Sequence, residues 1–362
     1  MKRYISCVTR FNKHCFLRSC ILWLTLIILL TAFSAYCEYS TTNDLLIISA
    51  YIADNDTSFF RQALLLFDIE QRTTIDTLCV PDGSLMVDGT DGIYIVERPG
   101  YGALQTLMRY CRTGYEADIT ITRVDINEGH FTQDLECRTA VSNNAFVFSV
   151  SADTDYIMEV TNDREFTVAI RINHFLGNSS TVLDIGDFFD MFHSWIWPSE
   201  VICVNKDGVT ALVSYSSWLT ESSLAIADFN QGTFNYVLCD YVYGPLCWIN
   251  DNEIMLFKKS LKNNVYYAIT YNIRNEQIAL YDCCLDGYYP VIDMSYSNGQ
   301  CVFWSENNDK LELVLMAEGA EPETLLQFDS LSDTQTMTFQ ALIDEKVVRI
   351  PIQIYQPTIA LR

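Results

Sequence analysis

A unit of about fifty residues repeats along this chain, no long stretch shows helical spacing, and one copy of the unit is split between the two ends. Together these predict an all-β fold: a β-propeller of six blades, each of four antiparallel strands, with the ring closed through both termini. Seven blades is the alternative, because the strand-like run "VVRIPIQIY" near the C-terminus is surplus to six.

The repeat defines each element in turn. From Asp44 onward, short runs rich in Val, Ile, Leu, Tyr and Phe are broken by Asn, Asp and Gly, as expected for strands joined by tight turns. The first turn of the unit, flanked by two apolar strands, reads "GTDGIYIV", "VSNNAFVFSV", "WIWPSEVICV", "WINDNEIMLF", "SYSNGQCVFW" and "ALIDEKVVRI". These turns centre on Asp91, Asn143, Pro198, Asp251, Asn298 and Asp344, at intervals of 52, 55, 53, 47 and 46 residues. A companion hairpin follows, in which a third strand ends in Asp or Asn before a polar turn and a fourth strand. Its copies read "LLLFDIEQRTTIDTL", "ITRVDINEGHFTQDL", "LAIADFNQGTFNYVL" and "AITYNIRNEQIALYD", with weaker ones at "AIRINHFLGNSSTVLDI" and "LVLMAEGAEPETLLQF".

The split copy predicts closure. "LLIISAY", "ALLLFDI" and "TTIDTLCV" open the chain without an inner strand, and "TMTFQAL" near the C-terminus is the inner strand expected to join them. Closing the ring would remove the unpaired edges that an open array of strands presents.

At "WINDNE", "YSNGQ" and "IADFNQG" the chain resembles the TolB-like β-propellers, whose repeats place a Ser-Pro-Asp-Gly turn after an inner strand and an Asp before a Gly-containing turn. The resemblance covers nearly all of residues 38–362, although no repeat carries Ser-Pro-Asp-Gly. It implies the fold and leaves the activity open, since propellers host many functions.

Ahead of that region, residues 1–37 contain no Asp or Glu but carry Lys2, Arg3, Arg10, Lys13 and Arg18, and residues 19–37 are uncharged. Ile21 to Leu30 has the length of a signal-peptide apolar core, and Ala32-Phe33-Ser34 offers a small-residue cleavage site. A retained anchor over 19–37 is the alternative, near the lower length limit for crossing a bilayer. Either way residues 38–362, read as one domain, are expected outside the cytoplasm. Nine cysteines lie beyond residue 78 without a metal-ligand spacing. Cys79, Cys137, Cys239 and Cys283 fall near equivalent strand ends, too far apart to bridge one another, so most are expected as buried thiols. Cys283-Cys284 and the Cys239/Cys247 pair are the exceptions, and their disulfide state stays open.

Residues 38–362 hold 18 Lys and Arg against 46 Asp and Glu. Such a field repels nucleic acid and anionic lipid and favours cationic partners. No Gly-x-Ser-x-Gly elbow is present, and His130, His174 and His193 are scattered, so no catalytic residue, metal ligand or cofactor site is assigned. Calcium is the lesser possibility at "DNDTS" (54–58) and "ADTDY" (152–156), neither of which has the spacing of a calcium-binding loop.

The candidate binding surface comes from the crossings between blades. "CDYVYGP" (239–245) and "CLDGYYP" (284–290) repeat one composition, and "DIGDFFDMFHSW" (184–195) adds a third aromatic-acidic crossing. Gly, Pro and Asp are turn residues, but the aromatics are not required by turn chemistry. If all three crossings rise on one face, Asp187, Phe188, Phe189, Asp190, Asp240, Tyr241, Tyr243, Asp286, Tyr288 and Tyr289 form an acidic-aromatic patch around the channel mouth. The expectation is a monomeric, non-enzymatic binding module for a cationic protein, peptide or polymer. It touches membrane only through its N-terminal segment. The alternative is a metal-assisted hydrolase or lactonase-type enzyme with carboxylates at the central channel.

Overall fold

The chain is seen here as a computed structural model. It describes residues 44–53, 59–89, 92–97, 116–142, 146–151, 156–162, 168–174, 179–184, 194–195, 201–204, 210–217, 223–228, 231, 233–238, 246–260, 262, 265–307, 309–331, 338–351 and 359–362. Every regular element among them is a β-strand, and every pairing is antiparallel. Contacts separate Leu45–Arg362 from Met1–Asp44. The expected signal or anchor at 19–37 lies outside the described residues. Among the described residues no helix is long and apolar enough to cross a membrane.

The strands run in chain order through successive sheets. β1 (Leu45–Ala53), β2 (Phe60–Asp68) and β3 (Thr73–Cys79) form a meander. β4 (Leu85–Asp88), β5 (Ile93–Glu97), β6 (Glu116–Asn127) and β7 (His130–Ser142) make one four-stranded sheet. The next is β8 (Phe146–Ser151), β9 (Tyr156–Asn162), β10 (Val168–His174) and β11 (Ser179–Asp184). In the following sheet β12 (Ser194–Trp195) and β13 (Val201–Val204) both pair with β14 (Thr210–Ser217), which leads to β15 (Ser223–Asp228) and β16 (Thr233–Leu238). Then come β17 (Leu246–Asn250), β18 (Glu253–Lys259), β19 (Tyr266–Asn272) and β20 (Gln277–Leu285). Last are β21 (Pro290–Ser297), β22 (Gln300–Asn307), β23 (Lys310–Ala317) and β24 (Glu323–Leu331), extended by the hairpin β25 (Thr338–Ile343) and β26 (Lys346–Pro351), and finally β27 (Ile359–Leu361).

Local chemistry explains the turns that the repeat defined. Asn298 and Gly299 both have positive φ, 51° and 81°, between the paired Ser297 and Gln300, the two-residue hairpin for which Asn-Gly is suited. Asp344 and Glu345 adopt the same left-handed pair at the β25–β26 tip. The turn centres Asp91, Asn143 and Pro198 lie outside the described residues. At the end of the third strand of the unit, the expected Asp or Asn accepts from the turn that follows. Gln71 N–H donates to Asp68 Oδ1 at 2.7 Å, Gln231 N–H to Asp228 Oδ1 at 2.9 Å, and Arg274 N–H to Asn272 Oδ1 at 3.1 Å.

Packing explains why the middle strands read as nearly continuous apolar runs. β1, β2 and β22 bury both faces, each face in a different cluster. Along β1 and β2, Leu46, Ile48, Leu65 and Phe67 join a cluster with Val302, Trp304 and Leu313, while Ile47, Leu64 and Leu66 join another with Met86, Ile93 and Ile95. β22 divides in the same way. Val302 and Trp304 point into the first of these clusters, and Cys301 and Phe303 into a third with Met255 and Phe257 of β18. The first strands of successive sheets touch in series: β4 with β8, β8 with β13, β13 with β17, β17 with β21, and β21 with β27.

Where the ends meet, the structure corrects one expectation. The run "TMTFQAL" does not supply the inner partner of β1. Its strand, β25, pairs instead with β24 and with β26, so the hairpin adds to the edge of the preceding sheet. Phe339, Ile343, Val348 and Ile350 of this hairpin pack into the cluster shared with β1, β2, β22 and β23. The first half of β1 pairs with β27, Leu46 opposite Leu361 and Ile48 opposite Ile359, and only Tyr51 and Ile52 pair with β26. Leu45 and Arg362 exchange backbone hydrogen bonds at 3.1 and 2.7 Å. A three-residue strand carries too little periodicity to be recognised in sequence.

Among the described cysteines, Cys79, Cys247, Cys283 and Cys301 form no disulfide. Cys79 is exposed and the other three are buried.

Candidate functional site

The crossing from β20 to β21 is the part of the expected patch that the structure describes. Its turn begins at buried Leu285, whose carbonyl accepts from Tyr288 N–H at 3.1 Å. Gly287 sits at φ 86°, a left-handed conformation that costs a side-chain-bearing residue but not glycine. The following backbone is tied down to β22. Tyr289 N–H donates to Oγ of the fully buried Ser305 at 2.8 Å, Tyr289 C=O accepts from Glu306 N–H at 2.9 Å, and Asn307 Nδ2 donates to Gly287 C=O at 3.3 Å.

On this rigid turn the three predicted side chains diverge. Asp286 is exposed. Tyr288 is half-buried against the cluster between the β17–β20 sheet and the β21–β24 strands, its hydroxyl 3.5 Å from Thr324 Oγ1. Tyr289 stays 38% exposed and meets the Tyr266 ring edge to face, the centroids 6.0 Å apart. The other seven predicted residues, Asp187, Phe188, Phe189, Asp190, Asp240, Tyr241 and Tyr243, lie outside the described residues, as do 54–58 and 152–155 of the two acidic clusters.

Two residues absent from the sequence-based patch complete this corner. Tyr266 opens β19 and pairs in register with Lys259, the last residue of β18. The Lys259 ammonium lies 5.5 Å from the centroid of the Tyr266 ring, within reach for a cation–π contact. Burial first, and then neighbouring Tyr289, push the Tyr266 hydroxyl above its ordinary pKa, so the ring stays neutral under the cation at physiological pH.

A second crossing, β3 to β4, repeats the plan. "CVPDGS" places Asp82 and Gly83 where the later crossing has Asp286 and Gly287, and Gly83 has φ 89°. Here Gln62, 5% exposed, does the anchoring. Its Oε1 accepts from Gly83 N–H at 2.9 Å, its Nε2 donates to Ser84 C=O, and its own N–H donates to Asp82 Oδ1 at 3.3 Å. Burial, and then the Asp82 charge, raise the Tyr51 pKa. Phe60 opens β2 as Tyr266 opens β19, and it too carries a cation, the Arg349 guanidinium 3.8 Å above its ring. The shared Asp-Gly after a strand-ending cysteine is the signal that would have joined 82–83 to the patch. Register brings Lys259 to Tyr266, while Arg349, whose register partner on β1 is Tyr51, reaches the Phe60 ring from β26, and single-residue motifs reveal neither.

Among the described residues, no group of three or more His, Cys, Asp or Glu is arranged to hold a metal ion.

No protein-family model matches the chain, and no curated protein matches it in sequence. In structure it resembles TolB of Acinetobacter baumannii at 10% identity and a TM-score of 0.44, covering 83% of this chain and 79% of that one. It also resembles the β-propeller domain of the Trilobed protease of Pyrococcus furiosus, at 13% identity and a TM-score of 0.42, covering 75% and 78%. The periplasmic gluconolactonase of Pseudomonas aeruginosa matches at 12% identity and a TM-score of 0.41, covering 88% and 98%. TolB structures are thus among those this chain resembles, as the repeats resemble TolB-like propellers.

Proposed function

We propose that this chain is an exported, non-enzymatic binding module that recognises a cationic peptide or amine-bearing polymer at the face carrying its inter-sheet crossings. The observation that carries the reading is the corner built by Asp286, Tyr289, Tyr266 and Lys259. It already seats one ammonium group on an aromatic face beside a partly exposed tyrosine, and the turn that carries this tyrosine also carries the exposed Asp286. The excess of acidic residues over 38–362 would draw further cations to the same surface. A ring of six blades, the last made of β27 with β1–β3, is the architecture we propose around this face. The serial contacts of the first strands and the Leu45–Arg362 pairing support it. Export rests on the acid-free basic N-terminus and the uncharged run at 19–37.

The test is binding of a lysine-rich peptide panel, with thermal melting run in parallel. Asp286→Asn with Tyr289→Ala should weaken binding several-fold with only a small fall in melting temperature, because Asp286 is exposed and Tyr289 is partly so. Replacing Tyr288 is less informative, since its ring also packs inward. Lys259→Met should strengthen binding by vacating the Tyr266 face. If the parent chain binds no cationic ligand and the double variant melts far lower, the corner is packing and the reading fails. The alternative, a metal-assisted hydrolase with carboxylates at the channel, is tested by divalent-metal titration of the same chain.

A further inference from the structure

The outer strands of the sheets differ in how their edges are guarded. β24 pairs with β25 from Asp329 to Leu331, so the C-terminal hairpin covers that end of its edge. β3 has a carboxylate in the middle of its length, Asp76, whose Oδ2 accepts from Phe131 N–H of β7 at 2.8 Å. A covering strand or a charge at an edge resists further pairing. Among the described residues β20 has neither guard where it leaves its hairpin. It pairs with β19 alone, and Gln277, Ile278, Ala279 and Leu280 are all exposed without a charge among them.

Ile278 and Leu280 form the open margin of a buried cluster. In register they stand opposite Tyr271 and Ile269, 4% and 5% exposed, which pack with Leu246, Ile254 and Leu256. Residues directly opposite across a ladder share one face of the sheet, so the apolar strip runs from the core out to the edge. There Ile278 and Leu280 remain 52% and 65% exposed.

We propose that the outer edge of β20 is the docking site for an extended basic segment of a partner protein, which joins the β17–β20 sheet as a fifth strand. Backbone N–H and C=O groups on the open side of β20 pair with the segment's backbone, and its side chains at every second position lie beside Ile278 and Leu280 and take them out of water. The pairing of β25 with β24 is the same mode within this chain, where the added strand buries Phe339 in the neighbouring cluster. Charge selects the occupant. A second copy would bring another 46 acidic against 18 basic residues to the same edge, whereas a basic segment meets an attractive field. Arg274 and Glu276 offset each other in the turn before β20, and exposed Asp286 follows its far end. The positive charge of the segment rests on the function proposed above, while its extended conformation rests on the edge itself.

The probe is a peptide of alternating valine and lysine, titrated calorimetrically into the full chain beside its fully backbone-N-methylated form, which keeps every side chain but donates no backbone hydrogen bond. The methylated form should bind about tenfold more weakly or worse, and the parent peptide should slow amide hydrogen exchange over residues 277–280. Ile278→Lys with Leu280→Lys places charges on the edge through two exposed side chains, and should weaken the parent peptide about tenfold with little change in melting temperature. Equal binding of the two peptides overturns strand addition and leaves the Asp286–Tyr289 corner standing. So does a lysine pair that binds like the parent chain while Asp286→Asn with Tyr289→Ala does not. The reverse, binding lost with the lysine pair and kept with the corner variant, upholds the edge and removes the corner. If the parent chain binds neither peptide, both readings fail. A dimer in sedimentation velocity that the lysine pair dissolves gives the edge to a second copy and overturns the proposal.

Discussion

Removing β27 is the sharpest test of how the two ends hold the fold. Ending the chain after residue 358 deletes Ile359, Ala360 and Leu361, which are 1%, 0% and 3% exposed. Burial of one isoleucine, one leucine and a methyl group contributes about 4 to 7 kcal/mol. Besides the β1–β27 ladder, at least four hydrogen bonds go as well: the two exchanged by Leu45 and Arg362, Ile359 N–H to Asp293 Oδ2, and Leu361 N–H to Ser295 Oγ, each worth about 1 kcal/mol net. The ion pair of Arg362 with Asp88 is lost too, but at the surface it adds little. Against this stands the entropy of ordering four residues, about 6 kcal/mol. A net loss of about 2 to 5 kcal/mol remains, a large share of the roughly 5 to 15 kcal/mol that stabilises a typical domain. Urea unfolding followed by tryptophan fluorescence should therefore show the midpoint falling by about 1 M. Leu361→Ala, which keeps the backbone pairing, should give a smaller drop in the same direction. An unchanged midpoint for the truncated chain would refute the reasoning, because it would mean that β1 does not depend on β27.

Two further outcomes follow from ionisable groups at sheet boundaries. Burial pushes the Asp76 carboxyl up, but N–H donors from Phe131 and Thr77 and the charge of His130 outweigh it and leave the pKa lowered. A carboxylate with a depressed folded pKa stabilises above its unfolded pKa and loses that contribution as pH falls through the folded value. Asp76→Asn should thus lower the melting temperature at pH 7 and make little difference near pH 2. An equal deficit at both pH values would contradict the assignment. Tyr281 is the alkaline counterpart, since burial, followed by neighbouring Tyr296 and Cys301, raises its pKa to about 12 while its hydroxyl donates to Gly299 C=O at 3.1 Å. Its stabilisation is full below the ordinary tyrosine value and is lost as pH rises towards 12. Ultraviolet titration of Tyr281→Phe should lack one late-ionising tyrosine, and finding the same late step would disprove it.

The parts of this fold that were legible in sequence are those that local chemistry dictates. Asn298-Gly299 and Asp344-Glu345 mark two-residue turns whose backbone needs positive φ, and Asp68, Asp228 and Asn272 announce a turn because their side chains satisfy it. Asp286-Gly287 was legible for the same reason. The rest depends on partners distant in the chain. β27 is three residues long and is made a strand by Leu46, Ile47 and Ile48, about three hundred positions earlier. "TMTFQAL" has the alternation of an inner strand, yet its strand pairs along β24 and with β26 in the edge hairpin, where Phe339 is buried. Tyr288 and Tyr289 are identical in type and adjacent, and only the path of the β20–β21 turn, tied to β22, decides that one packs inward and the other faces solvent.

The same dependence governs the candidate site. An acidic chain with few basic residues has placed two of them, Lys259 and Arg349, over the rings that open β19 and β2. Tyr266 is buried and Lys259, Arg349 and Phe60 are half-buried, so each cation–π contact is worth about 0.5 to 2 kcal/mol, a modest share of the stability of a domain. The rings offer a cation the same face whether it comes from this chain or from a ligand. Occupied by a tethered side chain, that face is shielded from weak or singly charged competitors. On the function proposed above, a ligand bearing several amines would displace Lys259 at one corner while its other charges met Asp286 or the surrounding field, and its affinity would rise with charge number and fall with salt. Selectivity for multivalent cations would thus arise from a contact that, within the folded chain, does little more than keep one tyrosine covered.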